Sequence, residues 1–248
     1  MTPLASVTLR AVFDWFDDRH HWTGSNGIPT RLGQHLSICA VSMFIACAVA
    51  LPIGVALGHW RRGGLIAQNI ANLGRAIPSL AILIIAVPIV GIGPRPAEVA
   101  MVALAIPPLL TNAYVGMLGV DEEIRDAARG LGMSGWQAVW RAELPNALPL
   151  ILAGVRTASF QVIATATLAA EVASGGLGQY ITQGLAVRDD VQVVCGSLLV
   201  VGLAVSVEIV IAGLQRLAVP APLRNPTRYT TDEQLEESPD GNVLDLAA

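Results

Sequence analysis

Covalent chemistry needs converging nucleophiles, bases or metal ligands, and this 248-residue chain offers few of them. All fifteen of its basic residues are arginine. Without lysine it cannot build a phosphate loop of the ATPase kind, and it has neither a His-Glu-x-x-His nor a Gly-x-Ser-x-Gly sequence. His20 and His21 stand near Asp14, Asp17 and Asp18, but the spacing matches no closed ligand set, so we expect no metal site. Cys39 and Cys47 are separated by roughly 12 Å of helical rise, too far to bridge, and read with Cys195 as small apolar fillers. No catalytic group and no cofactor are expected; the chain reads as a non-enzyme. What remains is chemistry of contact. A charged stretch runs from Val120 to Pro145, uncharged polar side chains dot one apolar segment (Thr157, Gln161, Thr165), and a glycine run follows (Gly175, Gly176, Gly178).

The elements that carry these residues are membrane spans. Hydrophobic residues make up 53% of the chain and charged ones 14%, with a mean hydropathy of +0.58, which fits a polytopic membrane protein. A bilayer core of ~30 Å needs about 20 apolar residues in a helix. Five segments qualify: a first centred on Leu36–Leu57, a second between Arg75 and Arg95 made irregular by Pro78 and Pro88, and a third from Glu98 interrupted by Pro107-Pro108. A fourth covers Asn146–Ala170, with Arg156 near its beginning, and a fifth covers Val191–Leu214, with Glu208 inside it. Glu208 must face protein or water, with a hydroxyl as its expected partner. The fold class is therefore all-α, with residues 1–31 external, 32–218 the membrane domain, and 219–248 an acidic, disordered cytoplasmic tail.

The Val120–Pro145 stretch reads as helix, glycine turn, helix. Acids come early and arginines later, which suits the helix dipole. Ile124, Ala127, Ala128 and Leu131 form a narrow apolar stripe, and Gly130 and Gly132 break it. Ser134 with Gln137 begins a second short helix as a capping box, with Trp136, Val139 and Trp140 on its apolar side, and Leu144-Pro145 closes the element. Such a shape suits being gripped, although on physics alone a solvated linker fits it equally well. In the fourth segment, small residues permit close helix approach, and Thr157, Gln161 and Thr165 either line a path or bond back to the preceding turn.

Asp126-Ala127-Ala128, then Gly132, then Leu144-Pro145 resemble the EAA loop of ABC importer permeases at its full spacing. Asp126 stands where Glu is usual, and Ala142 where Ile is usual. The segment Gly175-Gly176-Leu177-Gly178 is similar to the one after the corresponding helix in osmoprotectant and methionine importer permeases, with Gln179 replacing the acid often found there. Residues 71–80 and Pro107–Asn112 look like segments of the glycine betaine/carnitine/choline permeases. The resemblance spans roughly residues 32–216.

That resemblance implies a type I importer permease in a bacterial inner membrane, carrying quaternary ammonium osmoprotectants. It implies as partners a dimer of ATPase subunits seated on the 120–145 loop, a second permease subunit, an external substrate-binding protein and membrane lipid; nothing suggests nucleic acid. Asp126, Ala127, Ala128, Gly132, Leu144 and Pro145 would couple to the ATPase. Gly175, Gly176 and Gly178 would serve a gate. With the loop cytoplasmic, ten arginines lie inside and five outside, so the N-terminus is expected outside and the C-terminus inside. The alternatives are a permease for methionine, phosphonate or another small solute, and a passive channel.

Overall fold

Ser42, Ala46, Ala50, Gly54 and Gly58 recur every fourth residue along the first hydrophobic segment, all buried, and they set how it packs. A computed structural model describes residues 7–76, 78–172 and 175–218, and every element among the described residues is helical. The expected disordered tail at 219–248 lies outside the described residues, as does Ile77 in the segment 71–80. A short helix α1 (Leu9–Asp17), capped by Thr8, precedes the long α2 (Ile28–His59). Next come α3 (Gly64–Ala76), α4 (Ser79–Val90) and α5 (Pro94–Leu118). The charged stretch forms α6 (Glu122–Gly130) and α7 (Gly135–Ala138), which runs through one π turn (Val139–Glu143) into α8 (Leu144–Ala166). A 3₁₀ segment (Thr167–Val172), α9 (Gly178–Val187) and α10 (Asp190–Ala218) complete the order.

The third segment becomes the centre. Helix α5 packs between α2 and α8 and buries Ala100, Met101, Ala105, Leu109, Ala113 and Met117. Its neighbours approach closely because they present glycine. A Cβ on Gly54 would come within 2.7 Å of Ala113 Cβ, and one on Gly154 within 2.6 Å of Asn112 Cβ. In lipid, where apolar burial alone drives helices together weakly, this close packing is the main cohesive force.

Two expectations about prolines change. Pro107 and Pro108 do not interrupt α5, which is helical from Pro94 to Leu118. Close packing against α2 and α8 holds the helix across the missing N–H groups. Between Arg75 and Arg95 the helix is short, because Pro78 starts α4 afresh and α4 ends at Val90. Among the described residues, four stretches are long and apolar enough to cross a membrane (Ile28–His59, Pro94–Leu118, Gly135–Val172 and Asp190–Leu217). The 12-residue α4 rises roughly 18 Å, short of a bilayer core. Gly74 of α3 packs on Pro107 of α5, so the two segments 71–80 and 107–112 meet in space.

At the other end, α1 lies on α10 and α9 through Trp15, which stacks on His21 at 3.9 Å and meets Tyr180 edge-on at 5.5 Å. His21 Nδ1 bonds the Trp15 carbonyl at 2.8 Å, and His20 bonds Asp18 through both its backbone N–H and its ring. These contacts hold the Asp18 carboxyl below the usual carboxylate range. The histidine pair thus ties its own segment together.

Candidate coupling element and translocation path

Helix α6 has Glu122 and Glu123 in its first turn and Arg129 in its last, as the dipole favours. It ends in a Schellman motif. The N–H of Gly132 donates to Arg129 O at 2.9 Å, and that of Met133 to Ala128 O at 3.1 Å, with Gly132 at φ +73°. The position demands a left-handed residue, although a Cβ there would meet nothing within 4 Å. The capping box is present: Ser134 N–H donates to Gln137 Oε1 at 2.9 Å, and Gln137 N–H to Ser134 Oγ at 3.4 Å.

The apolar stripe is only partly as expected. Ala128 is buried, but Ala127 and Leu131 are exposed, and Arg125 takes the place beside Ala128 on the inner face. Asp126 points outward and accepts from Arg129 at 2.7 Å. Trp136 and Trp140 do not join Val139 in the interior. They stand exposed, edge to face at 5.5 Å, with Trp136 71% accessible. Leu144-Pro145 does not close the element either. The Leu144 N–H bonds Val139 O, five residues back, and this wider register carries the chain past the Pro145 ring without a break. The second half of the loop is therefore helically continuous with α8.

A buried charge cluster mounts this loop, and sequence reasoning missed it. The Glu143 side chain is 3% exposed and that of Arg125 4%. His59, the last residue of α2, places Nδ1 2.8 Å from Glu143 Oε2 and 3.0 Å from Oε1. Arg125 Nη1 lies 3.7 Å from Glu143 Oε1 and donates to the His59 carbonyl at 3.4 Å, while Nη2 donates to Met117 O. One guanidinium thus gathers the C-terminal carbonyls of α2 and α5, and one carboxylate compensates it. Outside, Arg61 pairs with Glu122. The one sequence signal was an arginine on the inner face of a short amphipathic helix.

On α8 the exposed residues Arg156, Thr157, Phe160, Gln161 and Ala164 fall on one face. Thr157 bonds back to Ala153 O at 3.0 Å, while Gln161 bonds nothing among the described residues; Thr165 is half-buried beside this face. The partner of Glu208 is not a hydroxyl. It is Arg156, which lies deep in α8 rather than at its start.

The glycine run lies at the opposite end of α2, roughly 37 Å of helix from His59. Gly175 and Gly176 have φ of +77° and +82°, and Gly176 N–H donates to Gln34 Oε1 at 3.1 Å. A Cβ on Gly178 would fall 2.1 Å from Thr167 O. Beneath them, buried His35 bonds Ile163 O at 3.2 Å, a carbonyl released where α8 tightens into the 3₁₀ segment.

Residues 48–222 match the family described as binding-protein-dependent transport system inner membrane component. The chain is 36% identical over 82% of its length to the glycine betaine/carnitine/choline transport system permease protein OpuCB of Bacillus subtilis (strain 168), covering 93% of that protein. It is 36% identical over 76% of its length to the choline transport system permease protein OpuBB of the same strain, covering 87% of it. Over 87% of its length it is 32% identical to the carnitine transport permease protein OpuCB of Listeria monocytogenes, covering 97%. Among solved structures, an inward-facing form of the MetNI methionine ABC transporter has a chain of the same fold, at TM-score 0.69 and 23% identity, over 78% of this chain and 96% of that one. The chain belongs to the binding-protein-dependent transport inner membrane component family, as a multi-pass permease subunit of an ABC importer rather than an enzyme.

Proposed function

We propose that this subunit forms half of the substrate path of an ATP-driven importer for quaternary ammonium osmoprotectants such as glycine betaine, choline and carnitine. The substrate class follows that of the transport systems its relatives belong to. The observation that carries the mechanism is the mounting of the 120–145 loop. Its exposed crown of Leu131, Trp136 and Trp140 suits an apolar groove on a soluble partner, and its inner side is fixed to α2, α5 and α8 by Arg125 and Glu143.

A dimer of ATPase subunits grips one such loop on each of two permeases, identical or paralogous, with Asp126, Ala127, Ala128, Gly132, Leu144 and Pro145 setting the shape of the handle. When ATP closes the ATPase dimer, each loop moves with its α8, and the spans rock as rigid bodies. An external binding protein delivers the substrate. The N-terminus lies outside and the C-terminus inside, in keeping with the excess of arginine at the loop end. Thr157, Gln161 and Thr165 line the path, and Gly175, Gly176 and Gly178 let the chain turn at its outer mouth.

ATP-dependent uptake of labelled glycine betaine, choline and proline into vesicles holding the full complex tests the reading. Uptake of either quaternary amine supports it. Uptake of neither, with another small solute carried instead, overturns the substrate class.

A further inference from the structure

The pair formed by Arg156 and Glu208 stands where charge is least tolerated. Arg156 is twelve residues into α8, roughly 18 Å from its start, and Glu208 is ten residues from the end of α10, roughly 15 Å. Both depths are near the middle of a ~30 Å hydrocarbon core. The two side chains are 46% and 32% exposed, so one side of the pair is open. An open ion pair facing lipid is strongly disfavoured, so that side meets water or protein. Both arginine contacts fall on one carboxylate oxygen, Oε1, and neither residue bonds a third among the described residues. Capacity for a ligand therefore remains on each partner. Phe160, exposed one turn along the same face, adds an aromatic ring.

We propose that Arg156 and Glu208 form a mid-membrane site for a zwitterion, Arg156 receiving its carboxylate and Glu208 its quaternary ammonium. The inference rests on the substrate class proposed above. A guanidinium matches a planar carboxylate with paired N–H donors. A quaternary ammonium has no N–H to donate, so it is held by charge and by an aromatic face, which Glu208 and Phe160 supply. A ligand carrying both charges exchanges one ion pair for two and leaves no lone charge in the membrane. When a zwitterion departs the pair closes again, so its passage leaves no uncompensated ion.

The test compares glycine betaine, which has a carboxylate, with choline, which has none, in vesicles holding the full complex. Arg156→Gln should lower the betaine-over-choline uptake ratio about tenfold, the worth of one charged hydrogen bond. The neutral double variant Arg156→Gln/Glu208→Gln, which leaves no lone charge to impair folding, should assemble normally and lose uptake of both compounds by a similar factor. The swapped variant Arg156→Glu/Glu208→Arg should assemble without recovering wild-type uptake. An unchanged ratio in Arg156→Gln, or wild-type uptake in the double or swapped variant, would make the pair a structural strut and overturn the inference alone. If the wild-type complex carries neither compound, the proposed substrate class falls as well.

Discussion

The imidazole of His59 and the carboxylate of Glu143 meet at 2.8 Å across 84 residues of sequence, joining the end of α2 to the turn that opens α8. With Arg125 completing the cluster, movement of the loop cannot leave α2 behind. Removing Glu143 strands a buried guanidinium, a loss of about 3–5 kcal/mol for a broken buried pair. Glu143→Ala is therefore expected to lower the thermal midpoint of the purified complex markedly, and Glu143→Gln, which keeps an acceptor for His59, to lower it less. Thermal unfolding in detergent checks the order.

Gly132 is required for its backbone rather than for space. Its φ of +73° strains most residues with a β-carbon, while its surroundings are open. Gly132→Val should destabilise the turn by about 1–2 kcal/mol and weaken ATPase capture, whereas Gly132→Asn should be nearly neutral because asparagine visits this region readily. Co-purification of the ATPase with each variant measures the difference.

Trp136 and Trp140 support no packing that the fold needs. The double variant Trp136→Ala/Trp140→Ala should leave yield and thermal midpoint unchanged, yet weaken ATPase binding more than tenfold, as loss of a central aromatic anchor does. A titration of detergent-solubilised permease with ATPase subunit reads the effect.

Among the glycines after α8, Gly178 has the least room, since a methyl there would overlap the Thr167 carbonyl. Gly178→Ala should abolish uptake and reduce recovery of the complex. Gly33→Ala is the control, because a Cβ at Gly33 meets nothing within 4 Å. Parallel uptake and yield measurements decide it.

Local patterns carried much of this structure in the sequence. The capping box at Ser134 and Gln137, the glycine that ends α6 and the long apolar runs all depend on neighbours within a few residues. The stripe Ser42, Ala46, Ala50, Gly54, Gly58 was equally available as a period of four. Long-range charge pairing was not. His59 with Glu143, and Arg156 with Glu208, lie 84 and 52 residues apart, and nothing near either residue marks its partner. Prolines misled for a related reason. Pro107 and Pro108 would break a helix in water, but α5, packed between α2 and α8, runs through them, whereas α3 ends before Pro78. The tryptophans were assigned inward by helical spacing, yet α7 is four residues long and has too little surface to bury both.

The most direct measurement is labelling of Trp136→Cys with a membrane-impermeant thiol reagent. Native Cys39 and Cys195 are buried, and half-buried Cys47 is replaced by alanine, so the new thiol stands out. The expected result is modification only when the cytoplasmic face is open to the reagent, and protection once the ATPase subunit is bound. Labelling from the outer face of intact cells, or full labelling in an assembled complex, would contradict the assignment of this loop as the handle that the ATPase grips.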